Sequence, residues 1–199
     1  FRKDVWSINH VSSVGPDSFP SSFYRVAWDT MKTSLIIVQD FIQGGNLPQV
    51  AAATRLVLVP KVKSLSSLNQ YWPISLCNVP YNVLAVILNS RFSTTLLRWI
   101  SSEQHDFVKG RSIQGAIALD QEIISDINLK LPGSNVAIQL DMSKSYDRVE
   151  WHFLTRVLSS MGFASWVIDP LFRCFSSPLM ASSFMGKQFG FFKAVRGLR

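Results

Sequence analysis

Cysteine is scarce in this sequence: 199 residues hold only Cys77 and Cys174. Two thiols so far apart, with no third ligand-type residue beside either, exclude a disulfide framework and a zinc ribbon and fit a reducing compartment. The three histidines, His10, His105 and His152, lie in unrelated contexts without metal-ligand spacing. No apolar run approaches the roughly 18 residues of a membrane span, and no apolar leader follows Phe1-Arg2-Lys3-Asp4. The expectation is an intracellular protein, nuclear or cytoplasmic and not secreted, with no membrane partner; the oligomeric state is left open. Gly-x-Ser-x-Gly, a Walker loop and a dinucleotide fingerprint are all missing. So is any pair of adjacent aspartates.

What is present is a chain 47% hydrophobic and 17% charged, enough for a sizeable core in one domain or two small ones. Its net charge of +7 is unevenly spread. Residues 1–50 balance four basic against four acidic side chains, so the whole excess lies in residues 51–199. After Asp169 there is no acid, while Arg173, Lys187, Lys193, Arg196 and Arg199 follow. Such one-sided basicity attracts polyanions, nucleic acid first; an ordinary solvated surface accounts for it equally well.

Periodicity supplies the elements. Phe23, Ala27, Met31, Leu35, Val38 and Ile42 recur at helical spacing, stopped by Gly44-Gly45. Thr54 to Val59 is a β-branched apolar run closed by Pro60, a strand leading into a polar loop that reaches Asn69. Pro80 opens a helix with Tyr81, Leu84, Leu88, Phe92 and Leu96 on one face. Ile113, Ile117, Ile124 and Ile127 mark another, broken at Pro132-Gly133. The alternation from Asn135 to Asp141 reads as a strand. Asp147 to Glu150 has capping-box form before a helix bearing Val149, Phe153, Val157 and Met161. A further helix spans Trp166–Phe175, and Met180 to Val195 reads as a hairpin turning at Gly186-Lys187. The sum is α+β, without strict βαβα alternation.

One constellation carries chemistry: Leu140-Asp141-Met142-Ser143-Lys144-Ser145-Tyr146-Asp147. A carboxylate at the end of a strand, followed by a polar turn, is placed to ligate a hard cation such as Mg²⁺, which keeps few protein ligands and shares itself with phosphates. The turn's amides and Lys144 would suit a triphosphate. A surface turn with a helix cap fits the same residues, and spacing alone leaves both readings open.

From Leu140 through Trp151 this segment resembles the first palm motif of reverse transcriptases from plant LINE-type (non-LTR) retrotransposons. The resemblance runs collinearly through Gly15-Pro16-Asp17, Leu58-Val59-Pro60-Lys61, Pro73-Ile74-Ser75-Leu76-Cys77-Asn78, Glu103-Gln104, Phe107-Val108-Lys109-Gly110-Arg111-Ser112-Ile113 and Arg196-Gly197-Leu198-Arg199. It implies a right-hand polymerase fold, incomplete here: fingers at residues 1–133 and the N-terminal part of the palm at 134–199. It also implies RNA template, DNA primer and dNTP as partners, and Mg²⁺ as cofactor. By the same resemblance Asp141 would be catalytic and, with the Met142 carbonyl, would ligate metal. Lys61, Lys144, Ser145 and Tyr146 would face the nucleotide, Tyr146 as a steric gate against a 2′-hydroxyl. Lys63, Lys109, Arg111, Arg196 and Arg199 would face nucleic acid.

The departures from the family pattern are specific. Trp72 stands where the family typically has an arginine that contacts nucleotide, and the two are not interchangeable. Gln114-Gly115-Ala116 replaces Gln-Asp-Asn. The family continues past Arg-Gly-Leu-Arg to a strand turn with two adjacent aspartates, which this sequence does not contain. Two-metal catalysis needs both sets of carboxylates. The expectation is therefore a reverse transcriptase segment that is inactive as this chain, or a non-catalytic nucleic-acid-binding remnant of a retrotransposon.

Overall fold

The computed structural model describes residues 1–64, 66–127, 129, 136–184 and 187–198. The chain divides into two compact units, one comprising Phe1–Leu88 with Tyr146–Arg199, the other Asn89–Ser145.

The first unit opens on short helical pieces: α1 (Arg2–Ser7), α2 (Ser21–Val26), α3 (Trp28–Met31), a 3-10 turn at Lys32–Leu35, α4 (Ile36–Ile42) and α5 (Gln49–Ala52). The apolar spacing from Phe23 to Ile42 predicts a single helix, and the structure interrupts it. Ala27 leaves helical geometry at φ −93°, ψ 29°. The Thr33 and Ser34 hydroxyls donate to the carbonyls of Thr30 and Met31 at 3.0 and 2.6 Å, a local competition that loosens helices. The break moves the buried position from Phe23 to Tyr24, while Leu35 and Val38 stay wholly buried.

Four strands follow: β1 (Ala53–Pro60), β2 (Tyr71–Cys77), β3 (Leu179–Phe184) and β4 (Lys187–Lys193), in the sheet order β2-β1-β3-β4. β1 runs antiparallel to β2, from Thr54↔Cys77 to Pro60↔Tyr71, and parallel to β3, from Ala53↔Leu179 to Leu56↔Ser182. The sequence reading has no counterpart of β2, because Pro73 interrupts the run; proline is tolerated there because β2 is the edge of the sheet. The predicted terminal hairpin forms, with a bulge at Ala181/Ser182. Of its predicted turn, Gly186 lies outside the described residues, and Lys187 is already paired with Phe184 in the ladder.

The longer helices are α6 (Val79–Leu96) and α7 (Ile113–Asp126); a single turn, α8 (Ser145–Arg148), precedes α9 (Trp151–Ser160) and α10 (Ser165–Ser176). The first half of α6 buries Val79, Tyr81, Val83, Leu84 and Ile87 with Val5, Tyr24, Leu35, Val38 and Phe41 of α1–α4, forming the core. Full burial of each such side chain contributes about 1.5–3 kcal/mol. Arg173 ties α10 to this core: its guanidinium lies 4.3 Å from the Phe41 ring centroid and donates to the carbonyls of Phe41 and Gly45. The Tyr81 hydroxyl donates to the Cys174 carbonyl at 2.9 Å. Burial pushes the thiols of Cys77 and Cys174 up from their ordinary value, so both stay protonated packing groups.

In the second unit α7 forms as predicted, yet none of its residues is buried. The predicted strand at Asn135–Asp141 does not form. Asn135 lies outside the described residues, and residues 136–142 have no regular secondary structure. Alternation fixes which side chains share a face, but a strand exists only with a hydrogen-bonding neighbour. Among the described residues of this unit there is no other strand to supply one. Val136, Ile138 and Leu140 are accordingly exposed. No helix among the described residues is long and apolar enough to cross a membrane.

Candidate nucleic-acid and nucleotide site

Lys61 and Lys63 sit where the β1–β2 hairpin turns. The Lys61 amide donates to the Gln70 carbonyl at 2.8 Å, extending the ladder by one rung. The 3-10 turn Leu68–Gln70 is locked by a capping box between Ser67 and Gln70. Val59 is paired with Trp72, which puts Val59, Lys61 and Trp72 on one face. There the Lys61 ammonium stands 4.0 Å from the Trp72 ring centroid. Lys63 is exposed on the bend beyond.

At the other end of β2, two of the segments quoted above meet. Asn78 is buried; its Oδ1 accepts from the Asp17 amide at 3.1 Å and its Nδ2 donates to the Val50 carbonyl at 2.7 Å. Gly15 passes so close that a Cβ would stand 2.6 Å from the Asn78 nitrogen, so the Gly-Pro-Asp turn needs its glycine for room. The Asp17 carboxylate accepts from the Phe19 amide at 3.0 Å, and burial raises its pKa. The sequence reading assigned Asn78 no role, although it closes the Pro-Ile-Ser-Leu-Cys-Asn run.

The segment around Asp141 falls on the boundary between the units. Asp141, Met142, Lys144 and Ser145 belong to the second unit, and Tyr146 to the first. Asp141, Met142 and Lys144 are exposed. Lys144 adopts φ +53°, a left-handed geometry costing a non-glycine residue about 1–2 kcal/mol, as α8 begins. The predicted capping box is absent: Asp147 lies inside α8, and Glu150 is the N-cap of α9, without a side-chain cap bond. A tertiary contact takes its place. The Leu198 amide donates to the Tyr146 carbonyl and the Gly197 amide to the Val149 carbonyl, each at 2.8 Å. The Trp151 indole N–H donates to the Gly197 carbonyl at 2.7 Å. The Arg196-Gly197-Leu198 strip thus captures two carbonyls that a continuous helix would have used, and the helix restarts at Trp151. Gly197 is at φ +91°, and a Cβ on it would stand 3.2 Å from the Asp147 Cα and from the carbonyl oxygens of Tyr146 and Asp147. Trp151, quoted in the motif without a role, is the anchor, held edge-on to Phe172 at 6.2 Å. Arg196 is exposed, and Arg199 lies outside the described residues.

In the second unit Lys109 is exposed. The Arg111 guanidinium donates to the carbonyls of Ile100, Ser101 and Gln104, so it holds the loop after α6. Among the described residues no group of three His, Cys, Asp or Glu side chains is placed to hold a metal ion. Asp141 with the Met142 carbonyl offers one carboxylate and one neutral oxygen. That donor set does not fit a two-metal centre by itself.

Comparison with known proteins matches these features to a family. Residues 59–199 match the model described as reverse transcriptase (RNA-dependent DNA polymerase). A curated relative, the Transposon TX1 uncharacterized 149 kDa protein of Xenopus laevis, is 25% identical over 170 residues, covering 84% of this chain. The chain spans 13% of that relative's length. The relative is amphibian, so it lends no support to a specifically plant origin. The family model begins within β1 and takes in the hairpin, Asp141, the docked Arg196-Gly197-Leu198 strip and everything between. This chain belongs to the reverse transcriptase (RNA-dependent DNA polymerase) family.

Proposed function

We propose that the chain supplies the fingers (residues 1–133) and first palm segment (134–199) of an RNA-directed DNA polymerase from a LINE-type, non-LTR element of the kind found in plants. We further propose that, as this chain, it binds template–primer without extending it. The observation that carries the reading is the docking of Arg196-Gly197-Leu198 on Tyr146–Trp151, two motifs of the family joined by three hydrogen bonds. Asp141 and Met142 would present oxygens to the divalent ions that family members use. The Lys144 and Ser145 amides would face the nucleotide triphosphate. The exposed Tyr146 ring would restrict the sugar's 2′ position. Lys61 would face the nucleotide, and Lys63, Lys109 and Arg196 would supply charge for template and primer, while Arg111 acts chiefly on its own loop.

Among the described residues no group of three ligand-type side chains includes Asp141, which favours the non-catalytic half of the reading. The test is a DNA primer annealed to an RNA template, offered with Mg²⁺ and dNTPs. The expected result is binding that weakens steeply with salt, as phosphate contacts require, and no extension. Extension abolished by Asp141→Ala would overturn the inactive reading, and no binding at low salt would overturn the nucleic-acid reading.

A further inference from the structure

We propose that the exposed face of the β1–β2 hairpin is a stacking site for an unpaired base of single-stranded nucleic acid, with Trp72 as the platform and Lys61 as a cation that moves from the ring to the neighbouring phosphate. The proposal rests on the nucleic-acid reading above. An arginine at residue 72 would address charge with a fork of donors; an indole has no charge and a single N–H, and offers a broad apolar face instead.

Three observations place the site. Trp72 is 59% exposed although it lies in a strand, and it shares its face with the exposed Val59 and Ile74. This leaves an apolar floor open at the sheet edge. The Lys61 ammonium lies over that ring at 4.0 Å, so a cation is already stationed at the stacking surface. The surrounding sequence is free of competing negative charge: no acidic residue occurs between Asp40 and Glu103, whereas Arg55, Lys61, Lys63, Arg91 and Arg98 do. A floor of this kind beside cations fits a polyanion that also carries aromatic faces.

Magnitudes settle which contact yields. A cation over an exposed ring is worth about two- to five-fold in an equilibrium constant. A base stacked on an aromatic side chain is worth about 5- to 150-fold. A base therefore displaces the ammonium from the ring, and the released Lys61 gains a phosphate oxygen as its partner. Only an unpaired strand presents a free base face, so duplex nucleic acid is not the ligand of this surface.

The test uses the full chain and two labelled single-stranded oligonucleotides of equal length and charge, one of thymidylates and one abasic. Binding is followed by fluorescence anisotropy across a salt series. Wild-type protein is expected to prefer the thymidylate strand. Trp72→Ala and Trp72→Arg are expected to cut that preference about 5- to 150-fold, while Trp72→Phe keeps most of it. Lys61→Gln is expected to lower the salt slope by about one for the thymidylate strand and by less for the abasic strand, which has no base to release the ammonium from the ring. The base-to-abasic ratio is independent of how much of a variant is folded, so a destabilised variant still reports. A preference unchanged in Trp72→Ala and Trp72→Arg, or a wild type that binds both strands alike, overturns the stacking site and leaves the nucleic-acid reading standing. A wild type that binds neither strand at low salt overturns both.

Discussion

Replacing Gly197 with alanine tests whether the Arg196-Gly197-Leu198 strip is docked as described. The residue sits at φ +91°, which costs an alanine about 1–2 kcal/mol. The new methyl would stand 3.2 Å from three backbone atoms of Tyr146 and Asp147. Backbone in a helical turn yields little, so crowding adds about 1–3 kcal/mol. The alternative is to undock the strip, which forfeits the three hydrogen bonds to Tyr146, Val149 and Trp151 at about 0.5–1.5 kcal/mol each. The two routes are of similar size, so the loss is about 2–4 kcal/mol by whichever is cheaper. Gly44→Ala is the control: φ is +110° there, but nothing lies within 4 Å of the added carbon, so only the conformational cost of about 1–2 kcal/mol applies. Urea unfolding gives the difference between the two variants. NMR hydrogen exchange at the Leu198 amide and the Trp151 indole N–H, identified with Trp151→Phe, shows whether the strip has let go. Equal losses in the two variants, with both protons still protected in Gly197→Ala, would refute the packing argument.

Two further outcomes follow from the same unit. Asn78→Ala strands the Asp17 amide and the Val50 carbonyl, each at about 1–3 kcal/mol; a loss of about 2–4 kcal/mol is expected, seen as a lower urea midpoint at unchanged slope. Asp17 gives a pH signature. Its carboxyl pKa is raised in the fold by burial, so its favourable contribution is complete below the unfolded value and is lost as pH rises through the raised folded value. Asp17→Asn removes this dependence. The stability of the variant relative to wild type should therefore climb with pH across that interval and then level off, and a flat difference would contradict the burial.

Local pattern was enough wherever an element could form from its own residues or from a near neighbour. α6, α9, α10 and the β3–β4 hairpin stand where apolar spacing, Pro80 and Gly162 place them, because helices satisfy their own backbone and a hairpin finds its partner a few residues away. The seven collinear segments, including the one around Asp141, were legible for a related reason: residues tied to a turn or a charge keep their order along the chain. Tertiary structure decided the rest. The alternation before Asp141 yields no strand because, among the described residues of its unit, no other strand offers a ladder. Pro73 sits in a strand because β2 lies at the sheet edge. Asp147 gives up its cap because carbonyls at Tyr146 and Val149 are claimed from fifty residues further on. The sequence by itself determined which groups this protein carries, a basic chain with Asp141 in a polar turn and no adjacent pair of aspartates. Only the fold decided which of them meet, since hydrogen bonds from Asn78 to Asp17 and from Trp151 to Gly197 span distances along the chain that no local periodicity records.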